Sequence, residues 1–244
     1  MTTNYLAPTT HEPFPARPFL DGLPDDPEPD SPVIRLSSRF GVAFGVCQIA
    51  VMVAMAIFVL PKSGSPSDPA LERGRKVLEA ATAYRVGNFV FMAAGVLLLG
   101  FLGAVHHRLR RVDRTGVLPT VAVASGTLLA LIWPLGGALH DVAIEAATNG
   151  ADPRILAGWD SVAPFTLALS AIVRVFFIGS VVMGLRLAGT APRLQRLGLV
   201  LVPLSLVGSA TLVSGALFPV LALSTLGYEL WVLAVALTWL RRRS

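Results

Sequence analysis

Long apolar runs separated by short polar segments make up most of the chain from Phe40 to Leu240. A helix needs about 20 apolar residues to cross the hydrocarbon core of a bilayer, and each of these runs is about that long. The runs predict spans at about residues 40–60, 86–105, 117–139, 162–185, 197–218 and 220–240. The pattern therefore predicts an all-α, polytopic transmembrane helix bundle of six spans within residues 39–244.

The last apolar stretch, Leu197–Leu240, holds 44 residues and a single charge, Glu229. One helix of that length would extend about 66 Å, twice the hydrocarbon thickness of about 30 Å. We therefore expect two spans here, with a hinge at Pro219.

Only two charged residues, Arg174 and Glu229, fall inside the predicted spans. A soluble helical protein would have charges along the outer face of each helix. A membrane β-barrel would show short segments of alternating polarity instead. The distribution of charge excludes the first class, and the lack of such alternation excludes the second.

The basic residues near span ends are unequally divided between the two sides, twelve against six. The larger set predicts the cytoplasmic side, so both termini are expected there. Its members are Arg35, Arg39, Arg108, Arg110, Arg111, Arg114, Arg186, Arg193, Arg196, Arg241, Arg242 and Arg243. The smaller set is Lys62, Arg73, Arg75, Lys76, Arg85 and Arg154.

Residues 1–38 are predicted to be a disordered tail. Eight of the 18 prolines lie there, with an acidic run at Asp25, Asp26, Glu28 and Asp30. Such a composition buries too little apolar surface to offset the entropy of ordering.

Net charge is +5 and the pI is about 10.1. Because the basic residues cluster at the ends of apolar runs, we interpret them as contacts to lipid headgroups rather than to nucleic acid. The single cysteine, Cys47, excludes an internal disulfide and a cysteine-based metal cluster. Nucleotide-binding, zinc-peptidase and serine-hydrolase motifs are absent, so no catalytic residue, metal or cofactor is predicted. The bilayer is the expected partner, and a protein partner or a small-molecule substrate is left open.

Arg174 and Glu229 form the most informative pair of residues. Each lies twelve residues from the arginine that ends its span, Arg186 or Arg241. That spacing puts both at about 18 Å from the same boundary. Equal depth and opposite charge predict a salt bridge between spans four and six, and charge inside a membrane is costly without a partner. A structural role is favoured over one in a substrate or proton path.

A second polar group, His140, Asp141 and Glu145, lies at the end of the third span. If the helix continues, Asp141 and Glu145 share a face and could hold a cation. A solvated helix end is the favoured interpretation.

One segment comprises Phe176-Phe177-Ile178-Gly179 and the run from Gly184 to Gly198, GLRLAGTAPRLQRLG. This segment resembles a family of small bacterial membrane proteins of unknown function. The resemblance implies a six-span protein and supplies no activity or catalytic residues. The bias toward Ala, Val, Leu, Arg, Gly and Pro is typical of actinobacterial genomes. For a bacterial protein with six spans, we expect a multi-pass protein of the cell membrane.

Three functions remain open from the sequence. A structural, partner-binding or regulatory role is favoured. The first alternative is a small transporter or channel that uses Arg174 and Glu229. The second is a membrane enzyme with a site at His140, Asp141 and Glu145.

The predicted orientation can be measured by cysteine labelling in a Cys47→Ser background. A cysteine at Asn149 should react with an impermeant reagent added outside the cell, and one at Thr115 should not. The reverse pattern would refute the orientation.

Overall fold

The computed structural model describes residues 31–59, 61–62, 64, 68–159 and 162–241. This part of the chain contains helices and no strand. The helices are α1 (Pro32–Ala54), α2 (Ala70–Glu79), α3 (Ala81–Val112), α4 (Val117–Thr148), α5 (Arg154–Trp159), α6 (Val162–Leu187), α7 (Pro192–Ser209) and α8 (Phe218–Arg241). A π-helical turn, Met55–Val59, extends α1, and the 3₁₀ turns Ala210–Leu212 and Gly215–Leu217 separate α7 from α8.

Six helical segments in the described residues are long and apolar enough to cross a membrane. They are Pro32–Val59, Ala81–Val112, Val117–Thr148, Phe165–Leu187, Pro192–Leu212 and Gly215–Arg241. The predicted all-α bundle of six spans is confirmed, and this is a polytopic membrane protein.

The spanning helices form a closed ring. Each packs on its neighbours in chain order, α1 on α3, α3 on α4, α4 on α6, α6 on α7 and α7 on α8, and α8 returns to α1. Phe101, Phe177 and Trp231 are almost completely buried in the interior. The outward faces are apolar as well, as Phe89 at 67% and Val96 at 68% exposure show. Such a surface suits contact with lipid rather than water.

The two ends of the bundle differ in charge. At one end the start of α1 lies against α3, since the Ser37 hydroxyl donates to the Gly100 carbonyl. Arg108 of α3 donates to the Trp239 carbonyl of α8 at the same end. The described members of the larger arginine set all lie at this end, which we call the basic end. The opposite end, which holds α2 and α5, we call the loop end.

The turn from α3 to α4 is held by Asp113. Its carboxylate accepts hydrogen bonds from the Thr115 hydroxyl and from the backbone N–H groups of Thr115 and Leu118. These bonds, that of the Thr115 hydroxyl first, hold the pKa of Asp113 below its usual range. Gly116 then takes the left-handed conformation, with φ of 78°, that starts α4.

The first helix begins at Pro32 with Ser31 as its cap, so the predicted disordered tail is wrong for residues 31–38. The rest of the predicted tail, residues 1–30, lies outside the described residues. Ser31 caps the helix by accepting from the Ile34 N–H, and proline suits the first helical position. Ser37 then anchors this turn, because its hydroxyl also accepts from the Ala104 N–H at 2.7 Å.

Two helices extend beyond the predicted spans. The second span, predicted to end at residue 105, continues as α3 to Val112, and the third, predicted to end at residue 139, continues as α4 to Thr148. The hinge between the last two spans was predicted at the wrong position, Pro219. It lies at Val213 and Ser214, and Pro219 sits in the first turn of α8, where its missing N–H costs no hydrogen bond.

Pro134 inside α4 lets α3 approach closely. Proline has no N–H to donate to the carbonyl four residues earlier, that of Ala130. Gly95 of α3 faces this carbonyl so closely that a Cβ there would lie 2.5 Å from its oxygen. A side chain at position 95 would therefore push α3 and α4 apart.

Truncation tests the corrected start of α1. We expect removal of residues 1–30 to leave membrane insertion and thermal stability unchanged. Removal of residues 1–38 deletes Ser37 and should lower the melting temperature in detergent. Ser37→Ala in the full chain should cost about 1–3 kcal/mol, because the Gly100 carbonyl and the Ala104 N–H lose their common partner. Equal melting temperatures for the two truncations would contradict the anchoring role of Ser37.

Candidate functional site

Arg174 lies in the interior of the bundle with none of its surface exposed. One guanidinium nitrogen, Nη2, donates to the hydroxyls of Ser170 and Thr225, each at 3.0 Å. The guanidinium carbon also lies 5.3 Å from the centre of the Tyr228 ring. Two hydroxyls and an aromatic face thus solvate part of the charge. The other two nitrogens, Nε and Nη1, have no hydrogen-bond partner among the described residues.

Helical spacing explains this arrangement. Ser170 precedes Arg174 by four residues on α6, so the two side chains share a face. Thr225 and Tyr228 are three residues apart on α8 and share the face that meets α6. Each hydroxyl donates to a carbonyl of its own helix, that of Leu167 or Leu221, and so can accept from Arg174.

Glu229 is also buried, at 1% exposure, but it has a different environment. Neither carboxylate oxygen has a hydrogen-bond partner among the described residues. The predicted salt bridge with Arg174 is therefore not formed. Depth along the helix was the basis of that prediction, and depth does not determine rotation. Tyr228 faces α6, whereas the next residue is rotated by about 100° and lies beside α1.

A small internal cavity adjoins Glu229, with about 10 Å³ open to the centre of a water molecule. That is room for about one water. Its polar lining residues are Gln48 of α1 and Tyr228 and Glu229 of α8. The other lining residues are Phe44, Gly95, Leu98, Leu129 and Trp133.

Four polar atoms of these residues have no hydrogen-bond partner among the described residues. They are the Gln48 Oε1, the Tyr228 hydroxyl and both Glu229 carboxylate oxygens. Buried polar atoms are usually paired, so an unpaired group of this size at one cavity is unusual. We call Gln48, Arg174, Tyr228 and Glu229 the buried polar cluster.

The chemistry open to this cluster is proton binding and hydrogen bonding. A carboxyl group can gain or lose a proton, and the neighbouring amide and phenol can hold a bridging water. Arg174 from α6 and Tyr228 from α8 are the charged and titratable groups close to Glu229. The α1 side of the cavity supplies Gln48, which does not titrate.

The sequence indicated Arg174 and Glu229 but not their neighbours. Gln48 could have been identified, because a single amide within an apolar span is costly without a partner or a function. Ser170, Thr225 and Tyr228 could have been found by their helical spacing from the charged residues. Serine and threonine are common in spanning helices, however, so this spacing alone would select too many candidate residues.

His140, Asp141 and Glu145 are held by separate residues of α3. The Tyr84 ring meets His140 edge-on, with centroids 4.9 Å apart. Asn88 donates to Asp141 at 2.7 Å, and Arg85 forms an ion pair with Glu145. Because each side chain has its own partner, the three serve the α3–α4 interface. Within the described residues no group of three or more His, Cys, Asp or Glu is placed to hold a metal.

No family model, curated protein or solved structure matches this chain. The resemblance of residues 176–198 to a bacterial family therefore stays a prediction.

The contribution of Thr225 to solvating Arg174 can be measured directly. Thr225→Val keeps the shape of the side chain and removes one hydroxyl partner of a buried charge. We expect a loss of about 1.5–3 kcal/mol in the free energy of unfolding, measured in detergent.

Thr238→Val is the matched control. Thr238 lies on the same helix and donates to the Ala234 carbonyl, as Thr225 does to Leu221. Among the described residues, no arginine donates to its hydroxyl. Equal losses for the two variants would contradict the proposed solvation of Arg174.

Proposed function

We propose that this protein is a small transporter of the cell membrane in which Glu229 exchanges a proton at a closed intramembrane site. The supporting observation is the group of unpaired atoms at one cavity, Gln48 Oε1, the Tyr228 hydroxyl and the Glu229 carboxylate. A purely structural cluster would be expected to satisfy its members, because an unpaired polar group inside a membrane has no lipid partner.

Access to this site has a candidate route from the loop end. A groove of about 940 Å³ between α1 and α3 extends along α1 as far as Ala50 and Val51. Val51 is three residues from Gln48, less than one helical turn. Its walls are mostly apolar, with Lys62 and Glu79 among the lining residues. A shift of α1 against α3 would connect the groove with the cavity.

The π-helical turn at Met55–Val59 favours such a shift. A π-helical segment is less regular than the α-helix it follows, and these segments occur often at functional sites. The turn lies at the end of α1 that adjoins the groove. Because the opposite end of α1 is held by Ser37, we assign the shift to the half beyond Gln48.

A second candidate function is structural, partner-binding or regulatory, without transport. The closed interior around Glu229 favours it, since a cavity for one water gives no passage to a substrate. In both candidates we place the basic end on the cytoplasmic side.

Proton exchange at Glu229 can be measured by infrared difference spectroscopy of the protein in lipid vesicles. We expect a carboxylic acid band that changes with bulk pH and is lost in Glu229→Gln. Proton flux into vesicles with a trapped pH dye, driven by a potassium diffusion potential, should fall to background in the same variant.

The control is Glu72→Gln, the same substitution at an exposed residue of α2 that pairs with Lys76. It should leave both measurements unchanged. A band at Glu229 that does not respond to pH would refute proton exchange. A responsive band without flux would favour the regulatory candidate over transport.

A further inference from the structure

The cavity beside Glu229 is lined by oxygen atoms of three chemical kinds. Glu229 contributes a carboxylate, Gln48 an amide carbonyl and Tyr228 a phenol. All four oxygens are buried, and none has a hydrogen-bond partner among the described residues. An occupant of the cavity therefore meets a set of unpaired oxygens that carries one negative charge when Glu229 is ionised.

A water molecule satisfies this set incompletely. It can donate two hydrogen bonds, whereas the two oxygens of ionised Glu229 and the Gln48 Oε1 can only accept. A cation without its water shell can contact all four oxygens, because their lone pairs replace the lost waters of hydration. Carboxylate and carbonyl oxygens are also the ligands that hard cations prefer. The ligand set thus suits a cation better than a water.

Charge selects a monovalent cation. Arg174 does not line the cavity, but its guanidinium carbon lies 5.3 Å from the centre of the Tyr228 ring. When Glu229 is ionised, its charge and that of Arg174 sum to zero. A monovalent cation leaves one positive charge on the cluster, as protonation of Glu229 does. A divalent cation would leave two, which is more costly inside a membrane.

The size of the cavity requires an ion without bound water. About 10 Å³ is open to the centre of a water molecule, which is room for about one water. Lithium, sodium and potassium ions are no larger than a water molecule, whereas an organic cation such as choline is far larger. Neutral oxygens can hold such an ion. The site therefore does not need three His, Cys, Asp or Glu side chains, a grouping that the described residues lack.

The ligands are held together by the contact between α1 and α8. Gly45 and Gln48 are three residues apart on α1 and so share a face. A Cβ on Gly45 would lie 2.8 Å from the Leu233 Cβ and 3.4 Å from the Glu229 carbonyl oxygen, so the two helices are closely packed here. A shift of α1 would separate Gln48 from the two ligands on α8. Ion binding and the position of α1 are thereby coupled.

We propose that Glu229, Gln48 and Tyr228 bind one alkali cation without its water shell, in competition with a proton. The inference rests on the proposed proton exchange at Glu229 and names the ion that exchanges with the proton. When the cation binds, the O–H bond of the Glu229 carboxyl group breaks and its proton leaves to bulk water. One positive charge replaces another, so the net charge of the cluster is unchanged.

Binding can be measured by the melting temperature of the full chain in neutral detergent. The probes are lithium, sodium, potassium, calcium and choline chlorides at equal ionic strength. At least one alkali chloride should raise the melting temperature with concentration, and calcium and choline chlorides should not. The apparent affinity should fall by up to about tenfold for each unit by which the pH is lowered, because one proton competes with one cation. Glu229→Gln should abolish the rise.

Tyr228→Phe tests the ligand set without a change of charge, since it removes one oxygen and keeps the ring beside Arg174. It should weaken alkali binding roughly tenfold, the effect of one lost polar contact. Gln48→Leu should have a similar effect. Tyr84→Phe is the control, because it removes a buried phenol of α3 that does not line the cavity, and it should leave the affinity unchanged.

Equal melting temperatures in choline and in every alkali chloride would leave a water as the occupant and overturn the cation site. A rise retained in Glu229→Gln would place the ion elsewhere and overturn it as well, and a rise with calcium would overturn the monovalent assignment. The infrared band of Glu229 separates this inference from the proposed function. A band that responds to pH without an alkali effect refutes the cation site alone, whereas a band that does not respond refutes proton exchange and the competition together.

Discussion

Arg174 places a guanidinium in the interior of a bundle whose outer surface faces lipid, and the packing of α6 and α8 depends on how that charge is solvated. Lipid offers no hydrogen-bond partner, so the protein must provide one. Ser170 and Thr225 provide hydroxyls, and Tyr228 provides an aromatic face. Because Thr225 and Tyr228 belong to α8, the arginine fixes the rotation of α8 relative to α6. These helices are the two neighbours of α7, so the same contacts hold that side of the ring.

Glu229, the residue after Tyr228, has no such partners for its carboxylate. The rotation that turns Thr225 and Tyr228 toward Arg174 turns the Glu229 side chain toward α1. There it meets a cavity that Gln48 also lines, and neither carboxylate oxygen has a hydrogen-bond partner among the described residues. The close packing of α1 on α8 restricts adjustment, since a Cβ on Gly45 would lie 2.8 Å from the Leu233 Cβ. The same rotation thus gives Arg174 two hydroxyl partners and gives the Glu229 carboxylate none among the described residues.

The sequence predicted those features that follow from length and hydrophobicity. Six spans and the burial of Arg174 and Glu229 are of this kind, because the cost of charge in hydrocarbon leaves few alternatives. Helix ends were predicted poorly. Arg108, Arg110 and Arg111 mark the edge of the hydrocarbon, but nothing ends a helix there, so α3 continues to Val112. Pairing across helices was beyond the sequence, because a residue's rotation depends on how neighbouring helices pack. The contact of Arg174 with Thr225 and the association of Gln48 with Glu229 both depend on that rotation.

The two ends of α1 give the bundle an unequal capacity for motion. At the basic end Ser37 bonds twice to α3, and Arg108 of α3 donates to the Trp239 carbonyl of α8. At the loop end the π-helical turn lies beside the groove, and the Met55 sulfur lies close to Gly87 of α3. A flexible thioether against a glycine is easier to rearrange than a pair of hydrogen bonds. Any opening toward Glu229 should therefore begin at the loop end, with the basic end as the fixed point.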